Sequence, residues 1–441
     1  MRFSIPPFLA IKVITAIIFI ALSFNLFVMT PVQNFPDTGS YIRTAQLHLL
    51  SLDFWTAERP PIIPLLFKVA GNDFNRIAQF QQIFSLIAWL VLAASVISVV
   101  KLRWLRVIAF AVVLGFSLAD DLHFWNSMIL SESFSISLFV ITIAVWLQVI
   151  NRLPQIMRLT VIKQLAVAGL VLGITGFWAI TRDTNMYFML GVAGFLLIGV
   201  LLNWKTLKLF LITLMAGCLL LFGLQNFSAD EGQRWILPFY NVLGQRILKQ
   251  EAATSYFIAQ GMPDHNQIRA GAGQFGDYFL YQQGRGLRAL REWTPTKGKS
   301  TYMRYLLAHP IESLRAPLEQ IHAIYQIDRN LRHYSPLSEI PAWQSFISDV
   351  FYPRRLWFEI FCLLGGVIVL AALVTKKLKR THLVPIVLLL LAYPLSFLVW
   401  HGDAMELERH SLNIALQWRL AIWLFVIFTV DSLPSRQSRM I

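Results

Sequence analysis

The sequence predicts an all-α polytopic membrane protein, with about ten transmembrane helices, further helices on the outer face and a mainly helical extramembrane domain. Three observations predict it. Hydrophobic residues make up 56% of the 441 positions. Apolar runs of bilayer-spanning length, about 20 residues each, recur from end to end. Basic residues gather in alternate connections, as they do on the cytoplasmic side of membrane proteins.

The expected spans are Phe8–Met29, Ala78–Val100, Val107–Ala119, Met128–Ile150, Gln164–Ile180, Met186–Leu202, Leu207–Leu224, Leu356–Thr375, Leu383–Trp400 and Leu412–Val430. The first run is too long for a signal-peptide core and lacks a small-residue cleavage site before Pro31, so it is expected to stay as an anchor. These spans divide the chain into an N-terminal transmembrane module (residues 1–224), an outer-face domain (225–355) and C-terminal transmembrane helices (356–441).

With the N-terminus in the cytoplasm, the inner segments carry Arg2, Lys101, Arg103, Arg106, Arg152, Arg158, Lys163, Lys205, Lys208, Lys376, Lys377, Lys379, Arg380, Arg436 and Arg439. These fifteen basic residues face one acid, Asp431, which orients both termini inward and places the protein in the plasma (inner) membrane. The formal net charge of +14 is thereby assigned to the cytoplasmic lipid surface and not to nucleic acid. Cys218 and Cys362, the two cysteines, both lie in apolar spans, which argues against structural disulfides and a Cys-based zinc site. No His-Glu-x-x-His, Walker loop or Gly-x-Ser-x-Gly is present.

The acids outside Asp431 fall on the outer side. Asp37 follows the first span in a turn built by Pro36 and Gly39; poor solvation there suits a base, and the plain alternative is a solvated turn aspartate. Later in the same loop, Pro60 to Phe67 reads as a segment lying in the interface, and Tyr41–Leu52 as a helix on the outer surface. Asp120 and Asp121 end the third span in a tight loop to Ser127, and Glu132 lies one turn into the fourth. Ser127, Ser131 and Ser135 recur every four residues beside it. Small-residue helix packing accounts for the serines; it does not account for an intramembrane glutamate.

Arg182 and Asp183 cap the fifth span, while Arg59, Arg354-Arg355 and Arg409-His410 add cations at the same level. Guanidinium groups at the lip of a bundle make a phosphate site. Interface snorkelling explains each arginine singly, but not their gathering on the side that ordinarily lacks positive charge. In the long outer segment, helices are expected over Asn241–Gln260, Thr301–Leu307 and Ile311–Ile327, with a flexible loop at glycines 271, 273, 276, 284 and 286. His401, His410, His123 and His265 are dispersed in the sequence.

Taken together, Pro36-Asp37-Thr38-Gly39-Ser40-Tyr41, Arg59-Pro60-Pro61-Ile62-Ile63-Pro64, Leu130-Ser131-Glu132-Ser133, Thr181-Arg182-Asp183 and Glu408-Arg409-His410 resemble, in order and outer placement, a known pattern. It is that of the polyprenyl-phosphate-sugar-dependent glycosyltransferases of the GT-C superfamily, especially the bacterial relatives of protein mannosyltransferases. The resemblance covers roughly the first 190 residues. It implies a GT-C-like fold, Asp37 as catalytic base and a second acid at Asp120 or Asp121, between which the pattern does not choose. It further implies Arg182 and Arg409 beside the donor phosphate, with Tyr41, Arg59, Glu132 and His410 completing substrate binding. A divalent cation is left open as a cofactor. The implied partners are a polyprenyl-phosphate sugar and an acceptor glycan, lipid or protein, within the lipid bilayer. A transporter or lipid flippase, or a noncatalytic envelope assembly protein, would use the same acids and arginines differently.

Reporter fusions test the orientation. Fusions after Arg152 and after Lys379 are expected to report the cytoplasm, and fusions within Gly261–Gly298 the outside. The opposite pattern would put Asp37 in the wrong compartment.

Overall fold

The computed structural model describes residues 7–202, 208–326, 340–375 and 378–433. Arg2, Lys205, Lys376, Lys377, Arg436 and Arg439 of the inner basic set, and Ile327 at the end of an expected helix, lie outside the described residues. The protein is an all-α polytopic membrane protein. Among the described residues nine helices are long and apolar enough to span a bilayer, or ten if one bent pair counts as a span.

The helices used below are α1 (Pro7–Met29), α2 (Thr38–Gln46), α3 (Ile62–Val69), α4 (Phe74–Val99), α5 (Arg103–Leu118), α6 (Glu132–Asn151), α7 (Val161–Ala179), α8 (Asn185–Leu202), α9 (Lys208–Glu231), α10 (Leu356–Val374), α11 (Leu383–Gly402) and α12 (Leu412–Val430). α6 and α12 are the most buried spans, while α1 and α10 turn most of their surface outward. The two central helices carry the polar side chains that lipid would not tolerate. Ser135 of α6 accepts hydrogen bonds from Thr181 Oγ1 (3.0 Å), from Asn185 Nδ2 (3.3 Å) and from Asn413 Nδ2 of α12 (3.0 Å). One small hydroxyl thus ties α6 to α8, α12 and the end of α7.

The two ends of the bundle differ in chemistry. At one, Asp431 accepts the N–H groups of Lys101 (2.8 Å) and Leu102 (2.9 Å) and pairs with Lys379 Nζ at 3.2 Å. Asp37, Glu132, Arg182 and Arg409 meet at the other.

Several expected elements are corrected. The third span does not run straight: α5 has 16 residues, and after an extended Ala119 the chain bends by 55° into Asp120–Ser127. That segment is not an exposed loop. Leu122, His123, Trp125, Asn126 and Ser127 are buried, and His123 Nε2 lies 3.1 Å from Ser23 O of α1. Glu132 is the first residue of α6 and does not sit one turn into it, because the preceding residues pair with the first loop. Ile129 N–H donates to Gln33 O (3.0 Å) and Gln33 N–H to Ser127 O (3.0 Å). The serine stripe is accordingly split, with Ser135 inside the helix and Ser127 and Ser131 before it.

α3 is not an interfacial segment. Ile62, Ile63, Pro64 and Phe67 are buried, and the helix packs on α2, whose Tyr41 and Ala45 are buried with them. α2 itself covers only part of the expected Tyr41–Leu52 helix, ending where Leu47 turns extended. α9 continues to Glu231, seven residues past the expected Leu224, because Gln225 and Asp230 find partners in Asp183 and Lys299 once the lipid ends.

Beyond α9 a second hydrophobic core forms around Phe239, Tyr240, Phe257, Phe279, Leu290 and Trp293. The helix expected over Asn241–Gln260 breaks into Ile236–Val242, a π-turn at Leu243–Ile247 and Glu251–Ala259. Lys299–Ala308, Pro310–Glu319 and Ile321–Tyr325 follow. The glycine-rich stretch is a packed one, not a flexible loop: a Cβ on Gly276 would lie 2.5 Å from Leu237 Cδ1, and one on Gly271 2.4 Å from the Phe279 ring.

Gly232 marks the closest approach between the end of α9 and the first loop. A Cβ there would meet the backbone oxygens of Thr56 at 2.5 Å and Ala57 at 2.6 Å, and neither can swing away. Gly232→Ala is expected to destabilise the protein by about 1–3 kcal/mol. Gly223→Ala, within α9 and with nothing within 4 Å, is expected to cause no such loss of thermal stability in detergent.

Candidate functional site

The site begins with how the first loop is held. Thr38 Oγ1 accepts Phe35 N–H (2.8 Å) and donates to Ile129 O (2.8 Å), pinning the turn to the segment that leads into α6. Gln81 of α4 supports that segment from below, donating to Asn126 O (3.1 Å) and Met128 O (2.8 Å). Asp37 therefore stands at the N-terminus of α2, where the helix dipole favours a negative charge, and directly over the start of α6.

Two arginines hold its carboxylate. Arg59 Nη2 donates to Asp37 Oδ1 (2.7 Å), while its Nε donates to Ser40 Oγ (2.6 Å) and its guanidinium lies 4.8 Å from the Tyr41 ring centre. Arg409 Nη2 reaches Asp37 Oδ2 at 2.9 Å, its Nε donates to Glu132 Oε1 (2.8 Å), and its Nη1 donates to Glu406 Oε2 (2.7 Å). The Arg409 guanidinium also rests 4.7 Å from the Phe35 ring centre. Three carboxylates thus share one arginine that is 3% exposed. Glu406, the middle one in the chain's final loop, adopts φ 47, a left-handed conformation that is strained for a non-glycine residue.

The network continues on the far side of Glu132. Arg182 Nη1 lies 3.6 Å from Glu132 Oε1, and its Nη2 is 3.2 Å from His410 Nδ1. With arginine the only possible donor, Nδ1 is the accepting nitrogen, which leaves the ring proton on Nε2, 3.5 Å from Asp403 Oδ2. Asp403 Oδ1 accepts from Asn241 Nδ2 (2.8 Å), and Asn241 Oδ1 accepts Gly276 N–H (2.7 Å), so the chain of contacts ends in the second core.

Electrostatics follow this geometry. Burial alone would raise the Asp37 carboxyl; the Arg59 and Arg409 cations overcome that and hold it below its ordinary value. Burial pushes His410 down to about 4, opposed by Asp403 and reinforced by Arg182 and Arg409, in keeping with a neutral imidazole. Arg409 is raised well above its ordinary value by Glu132, Asp37 and Glu406 despite its burial.

Asp37, Tyr41, Arg59, Glu132, Arg182, Arg409 and His410 thus come together. Asp121 pairs instead with Arg354, on the return from the second core to the membrane, and Asp120 donates its N–H to Ser348 Oγ (2.8 Å) on that same segment. Glu132 and Glu406 share Arg409 with Asp37. Arg182 and Asp183 do not pair with each other: Arg234, 3% exposed in its side chain, clamps Asp183 in bidentate fashion at 2.9 and 3.0 Å.

Asp403, Glu406, Arg234 and Asn241 were not singled out from the sequence. The i, i+3 spacing of Glu406 and Arg409 was a signal; Arg234 and Asn241 offered none. Among the described residues no group of three or more His, Cys, Asp or Glu side chains is gathered as metal ligands. Between Asp37 and Glu132 the cation is the Arg409 guanidinium, so this donor set does not fit a resident divalent ion.

No protein-family model matches the chain, and no curated protein sequence matches it. Among solved structures it is similar to the oligosaccharyltransferase AglB of the archaeon Archaeoglobus fulgidus, in complex with an inhibitory peptide and a dolichol-phosphate. The two share 13% identity over 94% of this chain and 50% of that one, with a TM-score of 0.49. The chain spans about half the length of that protein, and a likeness at this level identifies no activity.

Removing one member of a buried ion network leaves an uncompensated charge and costs about 3–5 kcal/mol. Arg409→Ala is expected to destabilise the detergent-purified protein by that amount. The double change Glu132→Gln with Arg409→Met is expected to recover part of the loss, because no buried carboxylate is then stranded at α6. Equal melting temperatures for Arg409→Ala and wild type would show that the arginine does not fasten the site.

Proposed function

We propose that the protein is an inverting glycosyltransferase, moving a sugar from a polyprenyl-phosphate donor to an acceptor hydroxyl at the outer face of the membrane. The observation that carries this reading is the contrast within the network. Asp37 keeps about a third of its side chain exposed (32%) while Glu132 beneath it is 1% exposed and Arg409 3%. A reactive carboxylate faces the solvent, and the charges that hold it in place are buried.

In the proposed step the acceptor hydroxyl gives its proton to Asp37, and its oxygen forms a bond to the anomeric carbon. The bond from that carbon to the phosphate oxygen breaks, and the lipid phosphate leaves with the electron pair. A single displacement inverts the anomeric configuration, by analogy with one-step glycoside chemistry. The departing phosphate needs cations with open faces. Arg59 and Arg182 retain 26% and 11% side-chain exposure and are suited to it, whereas Arg409, consumed by three carboxylates, positions Asp37. Tyr41 supports Arg59, and His410 orients Arg182. A hydroxyl at the solvent-facing side of Asp37 fits a glycan, lipid or protein acceptor. No step is routed through a metal ion.

The test is transfer from a radiolabelled panel of polyprenyl-phosphate sugars. Asp37→Asn keeps size and turn-forming capacity but cannot take a proton, so turnover is expected to fall about 10²–10⁴-fold with donor binding largely kept. Arg182→Ala is expected to weaken donor use strongly, and Arg182→Lys to restore it only in part because the planar fork is lost. Full activity in well-folded Asp37→Asn would place the base elsewhere. Because the Asp37 carboxyl is held below its ordinary value, it is ionised throughout the neutral range; its contribution to stability is present there and is lost only as pH falls through its lowered value. The acid limb of activity is accordingly expected below the ordinary carboxylate range, and a limb near pH 6–7 would contradict it.

A further inference from the structure

The segment that follows the second core contains no run long enough to span a bilayer, and its composition reads as extramembrane. Its contacts place it elsewhere. Ser313 O, in Pro310–Glu319, accepts from His401 Nε2 at 2.9 Å, and Leu314 O accepts from Tyr393 Oη. Ser396 Oγ donates to Tyr325 Oη at 2.8 Å, at the end of Ile321–Tyr325. Tyr393, Ser396 and His401 all belong to α11, a membrane span that ends at Gly402. At 1.5 Å per residue, Ser396 lies about 9 Å and Tyr393 about 13 Å inside that end. The helix pair therefore lies alongside the span, below its outer end.

Its surface agrees with that depth. Ile311, Leu314 and Leu318 are spaced three and four residues apart, which is one face of Pro310–Glu319, and are exposed by 76, 52 and 52%; Leu307, in the preceding helix Lys299–Ala308, is 76% exposed. Three large aliphatic side chains in one stripe, open to water and preceded in the chain by a fourth, would be an unusual burden for a soluble surface. Arg315 and Glu319 form an i, i+4 ion pair beside the stripe, the polar companion expected of a helix lying in an interface. Nearby in the chain, Phe346 and Trp357 are each 69% exposed, and aromatic residues collect at that level of a bilayer.

We propose that Pro310–Glu319 and Ile321–Tyr325 form a membrane-seated helix pair whose apolar face is covered by the acyl chains of the leaflet on the Asp37 side. The pair is short of a span. Its inner end packs against α12 and against Leu407–His410, the short helix that carries Arg409 and His410. Lipid on one face and the charge network on the other thus set the height of the site in the membrane. The inference stands whether or not the transferase reading does.

Spin-label accessibility tests it. Single cysteines at Ile311 and Leu318, in a Cys218→Ala, Cys362→Ala background, are labelled and the protein is reconstituted in phosphatidylcholine vesicles. References are labels at Ile198, exposed on the span α8, and at Arg288, 80% exposed on the outer domain. Labels at 311 and 318 are expected to match Ile198, with a ratio of oxygen to water-soluble nickel-chelate accessibility several-fold above that at Arg288. A ratio equal to that at Arg288 would put the pair in water. Low accessibility to both reagents would mean that protein covers the stripe. Either result overturns the proposal.

Discussion

The arrangement at the Asp37 end of the bundle depends on one buried cation. Arg409 is 3% exposed, and a guanidinium in that position persists only if its charge is met at short range. Asp37 of the first loop, Glu132 of the fourth long apolar segment's first turn and Glu406 of the final loop meet it within 3 Å. Asp37 and Glu132 both lie more than 270 positions before Arg409, so the arginine fixes the final loop against two elements far from it in the chain. The left-handed Glu406 is one cost of that closure, since its side chain must turn back onto a residue three positions later.

Around this centre the structure separates fastening from reaction. Thr38, Gln33 and Gln81 fasten the first loop through backbone groups, and Arg234 fastens Asp183 and the Ala57 carbonyl (3.0 Å) to the end of α9. None of these contacts consumes the solvent-facing side of Asp37 or the outer edge of Arg59. A buried polar network fastened at several points is rigid, and in the proposed transfer that rigidity is what holds a carboxylate at a fixed distance from a second reactant.

Much of this was legible because the membrane makes charge placement informative. Asp37, Arg59, Glu132, Arg182 and Arg409 stand out in the sequence as charges near the ends of apolar runs, where a membrane does not tolerate them without partners. What was not legible is who pairs with whom. Arg182 and Asp183 are neighbours in sequence yet bind Glu132 and Arg234 respectively, because consecutive residues point in different directions. Asp121 goes to Arg354, 233 positions away, a choice that spacing cannot encode. The bend after Leu118 and the late start of α6 were hidden for a related reason: hydropathy reports burial, and the Asp120–Ser127 segment is buried on a course bent by 55° from α5. The same ambiguity, in reverse, disguised the Pro310–Tyr325 pair, whose short apolar stripe carries charges that read as aqueous.

The charge count of the network bears on the proposed transfer itself. Asp37, Glu132, Glu406 and Asp403 face Arg59, Arg182 and Arg409 with His410 neutral, so the connected groups carry one net negative charge. Such a cluster would repel a phosphate if nothing changed. When Asp37 accepts the acceptor proton, the cluster becomes neutral, and Arg59 loses the carboxylate charge that had been holding it. Positive potential then appears beside the leaving phosphate at the moment its negative charge grows. A carboxylate held below its usual value is a weak base, and a weak base takes the proton late, once the bond to the phosphate is largely broken and the attacking hydroxyl has become acidic. Arg59, one of the two arginines that weaken Asp37 as a base, is thus the group that in the proposed transfer couples its protonation to departure of the phosphate.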